Sequence, residues 1–136
     1  MIIDFANRFS TLQPLTDATG ASTNVIDMTK AGDAVAGAEL YLVVRVGTAA
    51  DSSGGAAVLN IGVESDSVED FSTLSTKKEH LKVQIAEADL SANKIVFKCK
   101  LPPGLQQYVR LYYTESGEAF TAGTIDAFLT PDVNIA

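Results

Sequence analysis

Tyr108-Val109-Arg110-Leu111-Tyr112-Tyr113 is the stretch on which the fold turns. Val109, Leu111 and Tyr113 fall on one side and Tyr108, Arg110 and Tyr112 on the other, the period of two that belongs to a half-buried β-strand and not to a helix. Leu101-Pro102-Pro103-Gly104 stops the strand before it, because proline cannot donate into a β-ladder and glycine takes the positive φ that a reversal needs. Ser116-Gly117-Glu118-Ala119 supplies the next turn, after which Ile125, Ala127 and Leu129 point inward until Pro131 ends the pairing. The last third is therefore expected to be a closing β-hairpin.

The same alternation recurs upstream. Leu40, Leu42, Val44 and Val46 share a face, as do Leu59, Ile61 and Val63, then Leu81, Val83 and Ile85. Ile95, Phe97, Cys99 and Leu101 make a further strand, with Lys94, Lys98 and Lys100 marking the solvent side. Gly47 to Gly55 is rich in Gly, Ser and Asp and too long for a tight turn, so it reads as a surface connection. With a strand at Ser22 to Met28, the total is about eight short strands, the pattern of an all-β sandwich or barrel. Val68 to Leu74 is the one candidate for a helical turn, capped by Ser67; an edge strand carrying Phe71 and Leu74 competes with it. The expected core is Leu40, Leu42, Val44, Leu59, Ile61, Val63, Val83, Ile85, Ile95, Phe97, Val109, Leu111, Ile125 and Leu129.

Residues 1–20 break the pattern and read as an arm of the same domain, leaving 21–136 as one folded unit. Ile2, Ile3, Phe5 and Phe9 are large apolar groups with poor alternation, to be buried either against this sandwich or on a partner. Phe9, nearest the body, is assigned to the core.

Composition limits function. The net charge of −7, from 17 acidic and 10 basic residues, repels a phosphate backbone and argues against nucleic acid as a partner. Nowhere do about 18 apolar residues follow one another, so a membrane-spanning helix is not expected, nor does Met1-Ile2-Ile3-Asp4-Phe5 look like an export signal. Cys99 is the single cysteine; it cannot form an intrachain disulfide, and synthesis in a reducing cytoplasm fits.

Catalytic and metal patterns are sparse. His80 lies in Lys77-Lys78-Glu79-His80, a charged stretch expected at the surface, and Cys99 alternates with core residues. One histidine and one cysteine do not furnish a zinc site. Glu64, Asp66, Glu69 and Asp70 offer oxygen ligands, but not in the order of a calcium-binding EF-hand loop, and read as a solvated acidic loop. The expectation is no enzyme activity and no cofactor. Tyr108, Arg110 and Tyr112 on one outward face, with Phe128 opposite its inward neighbours, are candidate protein–protein contacts, as are Ile2, Ile3 and Phe5 of the arm.

The Leu101 to Leu129 block, together with Ser22-Thr23-Asn24-Val25-Ile26-Asp27 and the Gly54-Gly55-Ala56-Ala57 turn, resembles the small jelly-roll cement proteins that bind the outside of tailed-phage capsids. The resemblance implies an antiparallel jelly-roll β-sandwich without enzyme activity, a homodimer in preference to a trimer. It implies that the partner is the major capsid protein, and that the protein sits on the outer surface of the virion after synthesis in the host cytoplasm. A tail, receptor-binding or carbohydrate-binding β-sandwich, with Tyr108 and Tyr112 stacking on sugar rings, is the alternative.

Overall fold

The structure, a computed structural model, describes residues 8–16, 20–28, 40–72, 77–102 and 104–130. Its strands are β1 (Arg8–Pro14), β2 (Gly20–Ala21), β3 (Ile26–Asp27), β4 (Tyr41–Val46), β5 (Asp51–Ser52), β6 (Val58–Asp66), β7 (Lys78–Ala86), β8 (Ile95–Lys100), β9 (Tyr108–Ser116), β10 (Phe120–Ala122) and β11 (Thr124–Thr130). All pairings are antiparallel. One sheet runs β1-β11-β4-β8; the facing sheet runs β9-β6-β7, with β2 and β3 along the other side of β9. The short strands β5 and β10 pair separately at one end.

This order makes the molecule a jelly roll. The first strand lies beside the last, and the chain passes between the sheets as β4, then β6 and β7, then β8, β9 and β11. The expected closing hairpin is thereby corrected: β9 and β11 belong to facing sheets and do not pair. The physical reason is that both strands carry an apolar face. Val109, Leu111 and Tyr113 meet Ile125, Ala127 and Leu129 across the core, whereas a hairpin would set them side by side with nothing opposite. Gly123 serves the crossing: its φ is 127°, and a Cβ there would stand 2.9 Å from Ala50 Cα.

The expected core is largely the observed one, Phe9 included, with Leu15, Ile26 and Leu90 added to it. Val83 and Phe97 are only partly buried, since β7 and β8 are edge strands. Ile95 does not join the core. A register shift in β8 opposes Val44 to Phe97 but Arg45 to Ile95, so the bulge brings Val96 against the core in its place.

The supposed arm is strand from Arg8 onward. Phe9 is fully buried, and β1 forms the edge of its sheet. Ile2, Ile3 and Phe5 lie outside the described residues. Ser22 to Met28 holds one short strand, β3, with β2 just before the range, and Val68 to Leu74 is bend and turn to Asp70 and irregular at Phe71 and Ser72, with Leu74 outside the described residues. Among the described residues a short helical turn, of 3-10 type, occurs instead at Glu87–Asp89.

The two margins of the sandwich differ. On the β1 side the sheets are stitched together: Ser10 Oγ and Tyr113 OH lie 2.8 Å apart, Asn24 N donates to Phe9 O at 2.9 Å, and Gln13 Nε2 donates to Ala21 O at 3.1 Å. On the opposite side β7 and β8 end their sheets without pairing to each other.

Candidate functional site

Because Val109, Leu111 and Tyr113 fill the core, Tyr108, Arg110 and Tyr112 emerge together on the outer face of the β9-β6-β7 sheet, each half-buried. Cross-strand register extends them into rows. Arg110 opposes Glu64, which opposes Glu79; Tyr112 opposes Gly62, which opposes Lys82; Thr114 opposes Asn60, which opposes Gln84.

Arg110 is the organising side chain. Its Nε donates to Glu64 Oε2 at 2.9 Å, and its guanidinium lies 4.1 Å from the centre of the Phe71 ring and 5.4 Å from that of Tyr112. Lys77 Nζ faces the other Glu64 oxygen at 3.6 Å. Phe71 arrives from the loop after β6. Asp66 Oδ1 accepts Ser67 N at 2.6 Å and Val68 N at 3.3 Å, Phe71 N donates to Val68 O at 3.2 Å, and Phe71 takes the left-handed φ of 54°. Next to this cluster Gly62, Glu64, Glu79, Lys82, Tyr112 and Thr114 line a cleft of about 60 Å³. Glycine at mid-strand leaves the floor open between the flanking Tyr112 and Lys82.

Three of the sequence candidates, Tyr108, Arg110 and Tyr112, are thus brought together. Phe128 is not with them. It pairs with Val43 and Arg8 on the other sheet and is 2% exposed, so it is a buried residue and offers no contact surface. The reason is that both faces of β11 are covered, which alternation within the strand does not reveal.

Glu64, Glu79, Lys82, Lys77 and Phe71 were not singled out as partners of the tyrosines. The solvated acidic loop is corrected in part: Glu64 and Asp66 are buried residues of β6, while Glu69 and Asp70 are exposed. The exposed Asp70 carboxyl is held below its usual range by its hydrogen bonds from Ser72.

His80 occupies an irregularity of β7, where Val63 opposes Leu81 but Glu64 opposes Glu79. It is half-buried, and its Nε2 lies 2.6 Å from Ser65 Oγ. Ser65 is fully buried at the end of the inward series Leu59, Ile61, Val63, so its hydroxyl is closed off from solvent. Parity along β6 is the signal by which Ser65 could have been found. Cys99 is partly exposed on β8, and desolvation raises its thiol pKa. Among the described residues no three or more His, Cys, Asp or Glu side chains converge as a metal site.

A second polar hub lies at the β5-β10 end. Ser52 Oγ hydrogen-bonds Glu87 and, at 2.9 Å, Glu118 Oε2, which also accepts Gly54 N at 2.8 Å and Ala56 N at 3.4 Å. These donors, Gly54 N–H first, hold the Glu118 carboxyl below its usual range. They tie the Gly54-Gly55 turn to the turn after β9.

The sequence model of the Bbp16 family matches residues 9–129, from β1 to β11. No curated protein matches the chain.

Proposed function

We propose that this chain, which belongs to the Bbp16 family, is a structural protein of a phage particle, a capsid cement protein that binds the outer surface of the head and ties neighbouring major capsid proteins together. The observation that carries the reading is the outer face of the β9-β6-β7 sheet. There Tyr108 and Tyr112 stand on a rigid strand within the Leu101 to Leu129 block that resembles the cement proteins. Tyrosines fixed in this way bind partners with little loss of side-chain freedom. A lattice repeats one contact many times, so a modest affinity becomes high occupancy when a dimer engages two sites at once. Such a role requires a rigid body and contact patches, and no catalytic group.

Heads carrying the protein should survive heating that bursts bare heads, and adding the protein back should restore resistance, because a ligand of the assembled state stabilises it by mass action. Equal resistance of bare and decorated heads would overturn the reading. The cleft beside Tyr112 favours one alternative, a carbohydrate- or receptor-binding module. Immunogold labelling at the tail tip instead of the head would select it.

A further inference from the structure

Among the described residues the sandwich is sealed along the β1 margin by cross-sheet hydrogen bonds, whereas β7 and β8 end their sheets without pairing to each other. Leu81 and Val83 of β7, and Val96, Phe97 and Cys99 of β8, pack against the core yet stay partly exposed there. Lysines gather around them. Six of the seven lysines of the chain fall within residues 77–100, against three acids, Glu79, Glu87 and Asp89. That segment carries a net +3, so the remainder of a −7 chain carries −10. Lys77 is engaged by Glu64, and Lys98 and Lys100 have partners of their own. Lys78, Lys82 and Lys94 are exposed and form no ion pair with a described residue.

We propose that the β7–β8 margin is a docking surface for a different protein that presents an acidic rim around an apolar centre. Charge selects that occupant. A second copy joined across a two-fold axis here would set a basic margin against an identical one. A head-to-tail copy could supply acid, but such contacts do not close unless the rotation permits it and otherwise grow into fibres. Nucleic acid would gain nothing from the apolar mouth and would meet the strongly negative remainder. Lysines on edge strands also discourage strand-on-strand aggregation. That role does not call for an apolar strip between them, and the strip gives an acidic partner something to cover.

The inference rests on the cement reading and adds to the tyrosine face a second contact, at the β7–β8 margin, with the chemistry of its partner; the test separates the two. The isotope-labelled full chain is titrated with an alternating Glu-Val peptide, an alternating Lys-Val peptide and duplex DNA, while binding of the same protein to bare heads is measured in parallel. The Glu-Val peptide should shift the amides of Leu81, Val83, Phe97 and Cys99. The triple variant Lys78→Glu, Lys82→Glu, Lys94→Glu should bind the peptide and the heads about tenfold or more weakly, with the loss greatest at low salt. Lys94→Glu alone, in a loop outside both strands, gives the same direction if the triple variant melts early. Shifts confined to other strands, equal peptide binding by the variants, or DNA shifting the same amides would overturn the proposal. Wild type that fails to bind heads while the peptide still marks this margin would sink the cement reading and leave the docking surface standing. Wild type and variants binding heads equally well would do the reverse.

Discussion

Arg110 shows how a side chain that looks like a free contact group can be committed within its own chain. Its guanidinium is used by Glu64 and by the rings of Phe71 and Tyr112, so its part in any interface is to hold Tyr112 in place. Among the described residues, Arg110→Ala leaves Glu64, whose side chain is 9% exposed, with Lys77 as its ion-pair partner. The expected cost in urea unfolding is about 2–3 kcal/mol, below the loss from a fully orphaned buried charge because Lys77 remains. A change under about 0.5 kcal/mol would mean that water screens the pair. Core positions separate by strand. Leu111→Ala, fully buried on a central strand, should cost about 2–5 kcal/mol, and Phe97→Ala, half-buried on edge strand β8, clearly less than the usual loss for a buried Phe. Equal losses would show that β8 is covered in solution. Alternation identifies Leu111 and Phe97 as inward residues equally well; whether a neighbour closes over the ring is beyond its reach.

At the scale of elements, the turns rest on carboxylates. Glu118 accepts Gly54 N–H, Ser52 Oγ–H and Ala56 N–H, and its pKa lies below the ordinary 4.5. The folded chain therefore gives up this proton at lower pH than the unfolded chain, which binds more protons as the solution passes below about pH 4.5. The stabilisation is complete above that pH and is lost as pH falls through the folded value. Glu118→Gln should flatten the acid limb of the melting temperature plotted against pH and leave its neutral-to-alkaline shape unchanged. An unaltered acid limb would refute the assignment. Strand positions were legible here because each strand has an apolar series; the β8 bulge was not, since Ile95 and Val96 are equally apolar and only pairing with Arg45 and Val44 tells them apart.

For the whole molecule, the deletion that tests the N-terminal segment must stop before Phe9, because Phe9 is fully buried and its carbonyl accepts Asn24 N–H. Removing residues 1–7 should weaken self-association or head binding, as read by sedimentation and by head pull-down, with β1 kept whole. If both survive intact, those residues are no clasp. The wild-type chain should sediment as a symmetric dimer, and a strict monomer at tens of micromolar would restrict dimerisation to the lattice. Local order set much of this architecture: period-two alternation, proline and glycine punctuation and the lack of helical periodicity dictated an all-β sandwich and most of its core. They also put Tyr108, Arg110 and Tyr112 on one face, because side-chain direction in a strand without a bulge follows parity. Which strands pair, and which face water reaches, was decided by the tertiary structure alone. The crossing of β9 and β11 into facing sheets, the burial of Phe128 and the meeting of Arg110 with Glu64 and Phe71 all depend on contacts between segments distant in the chain. Their cost and reward are settled only when the two sheets close on each other.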